Sequence, residues 1–201
     1  MNKKYYIYLP IIFLLGCSSL FQTNKERWLH IYDDQPLVTR VSVPEKNHTQ
    51  YNTRNIVVNG YQAGGDFWYI LLMGTIIVDN NATDSTTAIL PMLRFRSIGP
   101  EKRFSENRDL KVFLNDKVYS YEALDYTVSK SKGNFLEDWT VGVHQQLLEE
   151  IAFSDSVKLA LGIGLVELNH DMMQPLRVLV DTVKTLKFNL GQPNQQLKLT
   201  K

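Results

Sequence analysis

The sequence predicts an α+β fold, mainly antiparallel β arranged as a sandwich-like sheet, with two short helices towards the C-terminus. Three observations carry that expectation. Between Leu37 and Val143, short segments alternate apolar and polar residues and are separated by turn-forming clusters, which is the period of half-buried strands. Phe67 to Val78 is the longest apolar run outside the N-terminal leader; it is too short to cross a bilayer and too rich in aromatic and β-branched residues to favour a helix. After His144 the apolar spacing changes from two to three and four, the period of an amphipathic helix.

Taken in order, Leu37 to Val43 is expected to be a strand ended by Pro44, and Glu45 to Asn55 a polar loop. Ile56 to Asn59 is a short apolar run meeting Gly60, followed by Gly64-Gly65. These glycines suggest a turn or bulge; a phosphate loop would need a Lys-Ser/Thr ending in a strand–loop–helix setting. Phe67 to Val78 is expected as a long central strand covered on both faces, with Gly74 marking a bulge or bend. Asp79 to Thr87 is a polar turn, and Leu90 to Ile98 returns as a strand with Arg94 and Arg96 on one face. So short a connection implies antiparallel pairing. Gly99-Pro100 breaks the chain, and Glu101 to Asp109 is a charged loop.

Leu110 to Leu124 is the clearest hairpin: Leu110, Val112 and Leu114 alternate with Lys111, Phe113 and Asn115, Asn115-Asp116-Lys117 turns, and Val118 to Tyr121 returns. Tyr126 and Val128 extend the sheet before Ser129 to Asn134 loops out, and Phe135 to Val143 forms a further strand with Trp139, Val141 and Val143 in phase. In the helix after His144, Leu147, Leu148 and Ile151 share a face opposite Glu149 and Glu150. Ser154 to Ser156 ends it. Val157, Leu159 and Leu161 begin a hairpin that turns over Gly162 to Gly164 and returns through Val166 to Leu168. Asn169 or Asp171 can cap a last helix running to about Leu186, with Pro175 in its first turn and Met172, Leu176, Leu179, Val180 and Val183 inward.

The N-terminus has the three parts of an export signal. Asn2-Lys3-Lys4 is a positive n-region, Tyr5 to Leu15 is an apolar h-region, and Gly16 is the small residue before Cys17. Eleven residues at a rise of about 1.5 Å span roughly 17 Å as a helix, about half the hydrocarbon core. Leu14-Leu15-Gly16-Cys17 resembles the lipobox of bacterial lipoproteins, over residues 1 to 17. That resemblance implies cleavage before Cys17, acylation of its thiol and amine, and a permanent anchor, since each buried methylene contributes about 0.8 kcal/mol and one chain alone holds marginally. Ser18, where an inner-membrane retention signal has Asp, implies the outer membrane, lipid-anchored and facing the periplasm, with surface exposure left open. Residues 1–16 are then the signal peptide, 17–26 the acylated cysteine and short tether, 27–190 a single globular domain and 191–201 a polar tail. From Cys17 to Trp28 the chain reaches at most ~37 Å, at ~3.4 Å per residue, so the domain is expected to ride close to the membrane. The order of elements over residues 108 to 186 is similar to that of uncharacterised Gram-negative envelope lipoproteins, a likeness of pattern that brings no activity with it.

Composition narrows the function classes. Without the leader, 185 residues remain, with 20 basic and 21 acidic side chains and a net charge of −1. That balance argues against nucleic acid as a partner. Cys17 is the sole cysteine, so with its thiol acylated no disulfide, thiolate metal site or cysteine nucleophile is expected. No Gly-x-Ser-x-Gly elbow and no His-Glu-x-x-His helix occurs. Glu149 and Glu150 are neighbours that would point about 100° apart on a helix, a solvated face rather than a catalytic pair. His170-Asp171-Met172-Met173 has ligand types that suit copper, although two methionines filling the core at a helix start is the plainer reading. Trp28, Trp68, Trp139, Tyr61 and Tyr69 could line a ligand groove; at strand spacing they are more often core. No cofactor and no metal site is therefore expected, and Cys17, as the lipidation site, is the one functional residue assigned. The function expected is a non-catalytic binding or scaffolding module of the cell envelope, partnered by the membrane through its lipid and by an envelope protein or glycan. The alternatives are an envelope hydrolase acting on cell-wall or lipid material and a carrier of a small apolar ligand.

Overall fold

In the computed structural model the described residues are 32–190, apart from 64–65, 82–88, 107 and 163; of residues 59–69, 164 and 186–190 only the backbone is described. The leader, Cys17, the tether, Trp28 and the polar tail thus lie outside them. The largest sheet is built on β4 (Asp66–Asp79), which pairs antiparallel on one side with β5 (Ile89–Gly99) along its length. Its other side is shared: β3 (Ile56–Ala63) pairs with the first half of β4 and β2 (His48–Thr53) with the second. β1 (Val38–Val43) completes that edge, while β9 (Asn134–Gly142) and β8 (Asp125–Ser131) extend the sheet beyond β5. The second sheet has the order β11-β10-β6-β7, from Gly164–Asn169, Ser156–Leu161, Leu110–Leu114 and Lys117–Tyr121. Two helices, α1 (Gln145–Phe153) and α2 (Gln174–Leu190), complete the α+β fold, and the two sheets pack like a sandwich. Residues from Gln35 onward form one compact unit.

The period-two pattern explains the layering. In β6 and β10 the buried residues are Leu110, Val112, Leu114 and Val157, Leu159, Leu161, with Lys111, Phe113 and Lys158 turned outward. In β5 and β9 the inward set is Leu93, Phe95, Ser97 and Glu137, Trp139, Val141. Helix α2 packs on β1, β2 and β4, and α1 packs on α2 and β5. Leu147, Leu148, Ile151 and Leu176, Leu179, Val180, Val183 are buried as the helical spacing expects, each contributing about 1.5–3 kcal/mol.

Several expectations are corrected. The polar segment Glu45 to Asn55 is not a loop but a 3₁₀ turn (Pro44–Lys46) followed by β2. Its alternating Thr49, Tyr51 and Thr53 are buried, so threonine served as an inward residue and hid the period. Gly74 is not a bulge: the register with β5 runs unbroken through it, and the irregularity lies in β3, between Val57 and Asn59. Ser129 to Asn134 is mostly strand, closed by a two-residue turn in which Lys132 and Gly133 take positive φ, 48° and 86°, the geometry that two-residue hairpins favour. The last helix runs to Leu190 rather than Leu186. Asn169, expected as its cap, instead closes the turn that leads into it: its Oδ1 accepts from the Met172 N–H at 3.0 Å, two residues before the helix begins at Gln174. Tyr126 and Val128 do extend a sheet, but through β8 on β9, while the hairpin β6–β7 belongs to the other sheet.

Gly74 has a different reason to be glycine. A Cβ there would lie 2.5 Å from Leu176 Cδ2 and 3.1 Å from Leu179 Cδ2, so the missing side chain lets α2 settle on β4. The Gly74 N–H donates to Thr53 Oγ1 at 3.0 Å, fixing the strand beneath the helix. Replacing Gly74 by Ala is expected to lower stability by about 1–3 kcal/mol through overpacking, seen as a reduced urea midpoint. The penalty should shrink when Leu176→Ala is added, since that removes the atom the methyl meets. Equal penalties in the two backgrounds would contradict this contact.

Candidate functional site

The most unusual inward residue is a carboxylate. Glu137 shares its phase on β9 with Trp139 and Val141 and is fully buried. An isolated buried charge costs several kcal/mol unless its lone pairs are filled, and here three donors converge on it. The Arg103 N–H donates to Oε2 at 2.8 Å; the Phe104 N–H and the Tyr126 hydroxyl donate to Oε1 at 3.0 and 2.8 Å. Bonds to an ionised acceptor are about twice as strong as neutral ones. Glu137 thereby holds the segment after β5 and the strand β8 to the same point. Beside it, the fully buried Phe104 ring lies 4.2 Å from Trp139, which stacks on Phe95 at 5.3 Å.

Tyr126 carries this interior outward. It forms part of the wall of an open cleft of about 540 Å³. Glu106, Arg108 and Asp109 come to the cleft from the charged loop, Glu122 from the connection that carries the chain from one sheet to the other, and Asp125 from the start of β8. Except for Arg108, these charged residues are exposed. The Arg108 guanidinium lies 4.6 Å over the Tyr126 ring, a cation–π contact. Burial first, and then the hydrogen bond to Glu137 and its negative charge, push the Tyr126 phenol up to about 12, against the opposing effect of Arg108. Four carboxylates against one guanidinium make the cleft attractive to cations and repellent to anions.

The residues singled out from sequence are placed elsewhere. Glu149 and Glu150 are half-buried and tie elements together. Glu149 Oε1 accepts from Gln145 at 2.8 Å and Oε2 pairs with Lys184 of α2 at 3.0 Å. Glu150 accepts from Gln146 at 2.9 Å and from Tyr119 of β7 at 3.3 Å. They are less solvated than their spacing suggested. His144, exposed just before α1, meets the Tyr121 ring edge-on. Met173 is fully buried and Met172 packs against the core, while His170 Nδ1 lies 3.4 Å from Arg177. Among the described residues no three His, Cys, Asp or Glu side chains come together as a metal site. Of the aromatic set, Trp139 is core; Trp28 and the side chains of Tyr61, Trp68 and Tyr69 lie outside the described residues. Cys17 does too. Sequence reasoning passed over Glu137, although a signal existed: it is the one charged residue in the inward phase of an otherwise apolar strand.

No family model, characterised protein or solved structure matches the chain. Among the described residues no helix is long and apolar enough to cross a membrane.

Glu137→Ala should leave two buried N–H donors and the Tyr126 hydroxyl without their acceptor and lower stability by about 3–5 kcal/mol, measured by urea unfolding; a loss below about 1 kcal/mol would mean that the carboxylate is dispensable. The Tyr126 phenol also predicts a pH effect. Its folded value of about 12 lies above the ordinary 10.0, so the folded state holds the proton more tightly. That contribution to stability is complete below pH 10 and is lost as pH rises through about 12. Absorbance at 295 nm, as the difference between the native protein and Tyr126→Phe, should show one phenol titrating near 12; a phenol titrating at 10 would contradict the bond to Glu137.

Proposed function

We propose that this chain is a lipid-anchored protein of the bacterial cell envelope, held through Cys17 on the periplasmic face of the outer membrane, whose domain binds a partner rather than transforming a substrate. The anchor rests on Leu14-Leu15-Gly16-Cys17 after a positive n-region and an apolar stretch. The binding role rests on one structural observation: the open acidic cleft whose Tyr126 wall is fixed from behind by Glu137. A preformed concave site in which four carboxylates outnumber one guanidinium suits recognition of a positive charge. The partner that fits is a cationic segment of an envelope protein, or a glycan bearing free amines.

Hydrolysis fits this geometry less well. A carboxylate pair that cleaves a glycosidic bond needs one member shielded from water, so that it keeps its proton near neutrality. The four cleft carboxylates are exposed, and both oxygens of Glu137 are already engaged by the Arg103, Phe104 and Tyr126 donors. The short tether supports a scaffold, because confinement near the membrane raises the effective concentration of a membrane-bound partner without new contacts.

Labelling with radioactive palmitate should mark the native protein and not Cys17→Ala. A photo-crosslinking residue at Glu122 should capture a discrete envelope protein or glycan, and Glu106→Lys with Asp125→Lys should abolish capture while the unfolding midpoint is kept. The reading fails if the purified, metal-free protein turns over a peptidoglycan or ester substrate and a single polar substitution removes that activity.

A further inference from the structure

Between β5 and the cleft, Pro100–Glu106 forms a strap that belongs to neither sheet. It is fastened by the Arg103 and Phe104 N–H groups on Glu137 and by the Phe104 ring against Trp139. In register, Phe95 lies opposite Trp139 and Ser97 opposite Glu137, so all four side chains share the inner face beneath the strap. Two buried polar atoms of this set, Trp139 Nε1 and Ser97 Oγ, have no hydrogen-bond partner. A buried donor left unpaired costs about 1–3 kcal/mol, and both sit where the ring stack is completed by the strap rather than by a strand or helix.

We propose that Pro100–Glu106 is a lid, latched by Glu137, and that Phe104 occupies the place of a ligand. With the strap lifted, the face of Trp139 is bared while every ladder of both sheets stays paired. The ligand that fits is a small, planar, apolar molecule carrying a hydrogen-bond acceptor. Its ring stacks on Trp139 in place of Phe104, and its acceptor takes the indole N–H and the Ser97 hydroxyl that the closed form leaves unpaired. Glu137 sets how often the lid opens, because its carboxylate holds two of the strap's backbone groups at once. The strap's last residue, Glu106, also lines the acidic cleft, so the two sites share a wall; the site beneath the strap does not depend on the membrane anchor.

The test is NMR on the purified full-length chain, with acetophenone as the probe, a flat ring bearing a carbonyl acceptor. Native-state hydrogen exchange should show the Arg103 and Phe104 amides opening at least about tenfold more often than the Val141 amide, as a local rather than global event. Acetophenone should shift the Trp139 indole N–H saturably. Glu137→Gln offers one acceptor oxygen and two N–H donors where three donors now converge; by raising the open population it should tighten that binding about tenfold. Trp139→Phe, which keeps a ring but removes the N–H, should weaken it. The proposal is overturned if the Arg103 and Phe104 amides exchange as slowly as Val141, or if acetophenone leaves the indole signal unmoved in both the native chain and Glu137→Gln.

Discussion

A single ionised side chain facing inward constrains much of this molecule. Glu137 belongs by its phase to the apolar interior, yet its buried carboxylate has to be hydrogen-bonded where bulk water does not reach it. The donors come from two separate segments, the strap after β5 and the strand β8. Burying the charge therefore requires both segments to be in place, and the same bonds shape the cleft that both border. Phe104 and Trp139 close over the carboxylate, lowering the local dielectric and strengthening each bond in turn. The interior arrangement and the wall of the outer cleft are thus one structural problem with one solution.

The opposite half of the larger sheet is held in another way. There α2 lies against β4 where Gly74 has no side chain, and Leu176 and Leu179 fill the space. This half is ordinary close packing, with Thr53 satisfying the backbone of Gly74. The half that contains Glu137 is polar at its centre and carries an irregular strap at its edge. That division matches a common arrangement, in which a rigid scaffold presents less stable segments that do the binding.

How far the sequence disclosed this depends on which physical signal each element used. Strands with aliphatic inward residues, such as Leu110 to Leu114 and Val157 to Leu161, were legible because alternation was written in hydrophobicity. The strand His48 to Thr53 was not, because its inward residues include Thr49 and Thr53, whose hydroxyls find partners in Asn80 and Gly74. Gly74 was read as a local backbone event, whereas it answers a helix roughly a hundred residues later, which no local pattern encodes. The candidate site was the least legible. Glu137 stood out of phase with its chemistry, but its donors are a tyrosine and two backbone amides, and backbone amides leave no trace in residue type. Glu149 and Glu150 attracted notice through adjacency alone, and each turned out to bridge α1 to a neighbouring element.

The central claim is that Glu137 and Tyr126 act as one unit, joining the interior to the wall of the cleft. A double-mutant cycle on unfolding stability, with Glu137→Gln, Tyr126→Phe and both together, measures that coupling without reference to any ligand. A shared bond between a buried carboxylate and a phenol should appear as an interaction energy of about 1 kcal/mol or more. Effects that add to within about 0.3 kcal/mol would mean that the two residues are energetically independent, and the account of the site built on them would not stand.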